Sequence, residues 1–73
     1  MQQVNSNAEL LALPNGSVVA QSNGTIHRLI TTGLVHEPHV LSILPSGLTV
    51  RENIRELDTK VQFAEPMDVI LLG

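Results

Sequence analysis

A chain of 73 residues without a single cysteine has only its hydrophobic core to hold it folded. That length fits one domain, close to the lower size at which one core suffices without disulfides or metals. The missing thiols exclude a disulfide framework, a cysteine-based zinc site and a cysteine nucleophile, and they suit a reducing cytoplasm. The opening residues Met1-Gln2-Gln3-Val4-Asn5-Ser6-Asn7 have neither the basic nor the apolar region of an export signal. No apolar run approaches the roughly 18 residues that a membrane span needs. The expectation is a cytoplasmic protein with no membrane partner. Asn15-Gly16-Ser17 and Asn23-Gly24-Thr25 match the glycosylation pattern, but in such a chain they read as turn chemistry.

Charge narrows the partners further. The net charge is −3, and the four basic residues, Arg28, Arg51, Arg55 and Lys60, are spread out with no stripe to neutralise a phosphate backbone, so nucleic acid is not expected. One aromatic, Phe63, leaves no stacking platform. Charged residues make up 15% of the chain against about 25% in an average domain. Neutral and apolar surface must therefore face water, and part of it is expected to meet a partner or a second copy.

Pro14-Asn15-Gly16 stops the apolar run Ala8–Leu13, which reads as a strand paired through a Gly-containing loop with Ser17–Gln21, although Ser6-Asn7-Ala8-Glu9 also matches a helix capping box. Gly16 is expected in the left-handed conformation. A hairpin centred on Asn23-Gly24 would set Val19 against Arg28, Ala20 against His27 and Gln21 against Ile26, scattering apolar side chains over both faces. A helix over residues 25–33 organises them better: Thr25 caps it, Ile26, Leu29 and Ile30 share a face, and Gly33 ends it. His39–Leu44 reads as a strand closed by Pro45-Ser46-Gly47. Thr49-Val50-Arg51-Glu52 reads as a capping box that starts a helical turn carrying Val50, Ile54 and Leu57 on one side. Val61-Gln62-Phe63 reads as extended, and Met67–Leu72 as a central strand covered on both faces.

This order, and the segment Gly47-Leu48-Thr49-Val50-Arg51-Glu52-Asn53-Ile54, resemble the ubiquitin-like β-grasp family, whose members carry a similar Gly-x-Thr stretch leading to Asn-Ile before their last strand. The resemblance implies an α+β fold, a mixed four- to five-stranded sheet packed on one helix. It implies a flexible segment 1–7, one domain over 8–72 and a C-terminal Gly73. As a protein modifier, such a chain is activated through Gly73 by activating and conjugating enzymes that recognise Leu71 and Leu72. It is then joined to target proteins by an isopeptide bond, with Lys60 as the one side chain for chain formation. The chain departs from the family in ending Leu72-Gly73 rather than in diglycine after basic residues. The alternatives are a non-enzymatic β-rich interaction or self-assembling module, such as a small structural or accessory protein, or a sulfur carrier.

No residue pattern suggests catalysis, a cofactor or a metal. Pro38 within His36-Glu37-Pro38-His39 prevents the helical spacing that brings two imidazoles together, and His27 is the remaining histidine. Glu52, Glu56 and Asp58 are interleaved with Arg51 and Arg55 and have no nucleophile beside them, as on a solvated face.

Overall fold

The computed structural model describes residues 2–31, 38–54 and 65–73. Its elements are β1 (Gln3–Val4), α1 (Asn7–Leu11), β2 (Val18–Ala20), β3 (Ile26–Ile30), β4 (His39–Ile43), β5 (Thr49–Asn53) and β6 (Met67–Leu71). All six strands form one sheet in the order β1-β6-β2-β3-β4-β5, and every pairing is antiparallel. β2 to β5 run as a meander, and β6 returns to lie between β1 and β2.

Helix α1 exists because its start is capped. Ser6 Oγ accepts from the Glu9 amide at 3.2 Å, and Glu9 Oε1 reaches back to accept from the Asn5 amide at 2.6 Å. The first bond satisfies an amide that the opening helical turn leaves unpaired, and the second ties the residue before the cap to that turn. Its buried contribution is Leu10, which joins Leu13 against the inner face of the sheet. That face supplies Val4, Met67, Val19, Leu29 and Val40, with Val69 packed alongside, and Ile54 closes the core after β5. The core therefore lies between one sheet face and the short helix.

Two turns of the same kind set the meander's register. In the first, the Gly24 amide donates to the Gln21 carbonyl at 3.0 Å and the Gln21 amide to the Thr25 carbonyl at 2.8 Å, with Gly24 at φ 95°. In the second, Gly47 donates to Leu44 at 2.8 Å and Leu44 to Leu48 at 2.9 Å, with Gly47 at φ 92°. Each is a three-residue loop whose last residue is left-handed, a conformation that favours glycine. Asn23 Oδ1 accepts from the Thr25 amide at 2.9 Å and fixes the first turn further.

The structure corrects the expected ubiquitin-like fold: it is a six-stranded antiparallel sheet with one five-residue helix, not a sheet packed on a central helix. The helix expected over 25–33 is strand β3 for Ile26–Ile30, and Thr32 and Gly33 lie outside the described residues. The alternative hairpin, with a two-residue loop at Asn23-Gly24, misplaces the pairing by one. The loop is Ser22-Asn23-Gly24, so Val19 pairs with His27 and Ala20 with Ile26. A one-residue shift exchanges the faces of a strand, and here it sends His27 and Leu29 inward and Ile26 and Arg28 outward.

Smaller corrections follow along the chain. The expected strand over 8–13 is largely α1, because the Ser6 cap does form. Gly16 does take φ 89°, but its turn joins α1 to β2 and its amide donates to the Leu29 carbonyl at 2.8 Å. Thr49–Asn53, the expected helical turn, is β5, paired along its length with β4. β6 is not covered on both faces, since Ile70 and Leu71 are exposed. Leu57 and Val61-Gln62-Phe63 lie outside the described residues.

Candidate functional site

Strand alternation divides the sheet's side chains into an inner and an outer set. The inner face carries a hydrogen-bonded set, Gln21, His27 and Ser42, and Glu52 stands on the same face opposite Val40. His27 is 1% exposed. Its Nδ1 lies 2.6 Å from Ser42 Oγ, directly across β3 and β4, and its Nε2 lies 2.7 Å from Gln21 Oε1. An amide oxygen can only accept, so Nε2 carries the proton and Nδ1 accepts from the Ser42 hydroxyl, an assignment that rests on the network. Burial lowers the His27 pKa below its usual value, and the negative charge of Glu52 opposes this in part. A neutral imidazole held by two hydrogen bonds is a satisfied core group.

The outer face is different. Across it, β6, β2, β3, β4 and β5 bring two parallel rows to the surface. The first runs Asp68, Ala20, Ile26, Ile43, Thr49, each residue paired with the next. The second runs Leu71, Val18, Arg28, Leu41, Arg51. Ile26 and Ile43 face each other on central strands and remain 38% and 39% exposed. At the β6 end the register shifts, with Val19 opposite Val69 and Val18 opposite Leu71. Ile70 is thus an extra residue, and the bulge leaves Ile70 and Leu71 exposed together at 60% and 52%. Leu48, in the turn between β4 and β5, is 61% exposed. Isolated apolar residues on a surface mean little, whereas a contiguous set on one sheet face marks a contact surface.

The residues singled out from the sequence are not gathered into one site. Leu71 belongs to the outer rows, and Leu72 is exposed beyond β6. Gly73 lies on the Pro14–Ser17 turn: its amide donates to Ser17 Oγ at 3.1 Å, and a Cβ on it would stand 3.0 Å from Pro14 Cβ. Lys60, Arg55, Glu56, Asp58, His36 and Glu37 lie outside the described residues. His39 is buried at the start of β4, four residues from Ile43. Among the described residues no three histidine or carboxylate side chains gather where they could hold a metal, and no helix is long and apolar enough to cross a membrane.

Sequence reasoning missed the outer face because it placed Ile26 in a helix that packs on the core. The signal that could have found it is the repeated loop: Gln21-Ser22-Asn23-Gly24 and Leu44-Pro45-Ser46-Gly47 are four-residue segments ending in glycine, and equal loops imply equal registers. Comparison of the chain with family models, with curated proteins and with solved structures found no match.

Proposed function

We propose that this chain is a non-catalytic interaction module that works by being bound through the outer face of its sheet. The observation that supports this most is the Ile26–Ile43 pair, apolar and exposed on two central strands, with Ile70 and Leu71 exposed towards the β6 end of the same sheet. A polar outer face is the usual state of an antiparallel sheet with one solvated side, and this chain departs from it where the departure is contiguous. On the inner face, by contrast, the buried His27 has both ring nitrogens occupied by hydrogen bonds. Conjugation through Gly73 was motivated by a grasp fold that the chain does not have, so the interaction reading is the one retained.

Site-specific photocrosslinking in the native host tests this. A photoreactive side chain at position 26 or 43 is expected to capture a discrete partner, or a second copy, while the same group at exposed Ala8 on α1 captures none. No adduct from 26 or 43, or equal adducts from position 8, would remove the outer face as the functional surface.

A further inference from the structure

Arg28 and Arg51 stand two strands apart on the outer face, about 10 Å from each other at sheet spacing, with Leu41 between them in one cross-strand row. Both are exposed, and neither guanidinium has an ion pair or hydrogen bond with another described residue. The next row places Ile26 and Ile43 beside them. Among the residues of these two rows, the one acid is Asp68 at the far β6 end, and its carboxylate already accepts from Gln3 Nε2 at 2.8 Å. A chain with a net charge of −3 thus shows on this face a small apolar surface with two guanidiniums that have no partner among the described residues.

We propose that the partner bound here is a protein surface of opposite charge pattern, in which two carboxylates about 10 Å apart flank apolar side chains that lie over Leu41, Ile26 and Ile43. This deepens the reading of the outer face as the binding surface and rests on it. Arginine suits the role because its planar fork holds a carboxylate by two parallel hydrogen bonds while its stem covers apolar neighbours. A second copy is a poor occupant. Two such faces stacked together would bury four arginines against two aspartates, each already engaged, and an unpaired buried charge is strongly unfavourable. An anionic bilayer is a poor occupant as well, because seven acidic residues against four basic ones repel it and the chain has no tryptophan or tyrosine to anchor at an interface.

The test uses the full 73-residue chain and three soluble fluorescein-labelled peptides that share one pattern of leucines and carry glutamate, glutamine or lysine at the alternate positions. Fluorescence anisotropy is expected to show the glutamate peptide bound at least about tenfold more tightly than the glutamine peptide at low salt, with the lysine peptide weakest. That preference should shrink at about 0.2 M salt and disappear in the double variant R28Q/R51Q, and binding of every peptide should fall in I43D. The salt series on the unsubstituted chain gives the same answer without any variant, and circular dichroism checks that each variant is folded. A glutamate preference that survives R28Q/R51Q, or no preference among peptides that still bind in an Ile43-dependent way, overturns the acidic partner and leaves the outer face standing. Binding to vesicles of phosphatidylglycerol with no peptide bound, or a concentration-dependent dimer lost in I26D, also overturns it by naming another occupant. A monomer that binds no peptide and no vesicle overturns both the partner and the surface.

Discussion

His27 is the residue whose environment most clearly determines a measurable property. Its ring is buried between Ser42 and Gln21 and is held neutral, so the folded-state pKa lies below the unfolded value near 6.5. The unfolded chain therefore binds a proton that the folded chain resists. The stability that neutral His27 provides is present in full above about pH 6.5 and is lost progressively as the pH falls below it. Denaturant unfolding followed between pH 8 and pH 5 should show this decline, and replacing His27 with glutamine should flatten it. Ser42→Ala, which leaves Nδ1 without its donor, is expected to destabilise by about 1–3 kcal/mol at neutral pH. Gly47 tests the backbone instead. No atom lies within 4 Å of where its Cβ would stand, so Gly47→Ala should lower stability by about 1–2 kcal/mol through its φ of 92° alone.

At the scale of elements, the loop Ser22-Asn23-Gly24 decides what the outer face is. Deleting Thr25 would close the same three-residue loop on Ile26, setting Gln21 against Ile26, Ala20 against His27 and Val19 against Arg28, so that Ile26 and Arg28 turn inward and His27 and Leu29 outward. The expected outcome is loss of cooperative thermal unfolding and of amide dispersion in NMR, whereas deleting Ser22 leaves a two-residue Asn23-Gly24 connection between the native partners Gln21 and Thr25 and should keep the fold. Helix α1 is a weaker dependency. Ser6→Ala removes its cap and should destabilise by about 1 kcal/mol without changing the sheet.

At this scale the limits of the sequence are also clearest. The strand at His39–Ile43, the last strand, and glycine turns at 16, 24 and 47 were all legible, because β-branched runs and Asn/Ser-Gly pairs act locally. The capping box at Ser6 was visible and real, whereas the equal pattern at Thr49 was overridden, because β4 offers Thr49–Asn53 a full ladder of partners. The identity of β3 was not legible. Ile26, Leu29 and Ile30 fit a helical face, and only the buried hydrogen bonds of His27 make the strand register coherent. For the same reason the candidate site was hidden: an isoleucine assigned to the core cannot be recognised as surface.

For the whole molecule, the single inner core and the apolar outer face come from one arrangement. The inner side chains close on α1, and the outer rows present Ile26 and Ile43 with Arg28 and Arg51 beside them. The β2–β3 register is what exposes Ile26, and cross-strand nuclear Overhauser contacts read that register. With Gln21 bonded to the Thr25 carbonyl and Leu29 to the Ser17 carbonyl, the pairs Ala20/Ile26 and Val18/Arg28 fall at the close, non-hydrogen-bonded positions, where the Cα atoms approach to about 4.5 Å. Strong Hα–Hα cross-peaks are expected for those two pairs. Cross-peaks joining Gln21 to Ile26 and Val19 to Arg28 would instead show the slipped hairpin, and helical amide-to-amide contacts through residues 26–30 would show the helix. Either result would contradict the outer face and the function built on it.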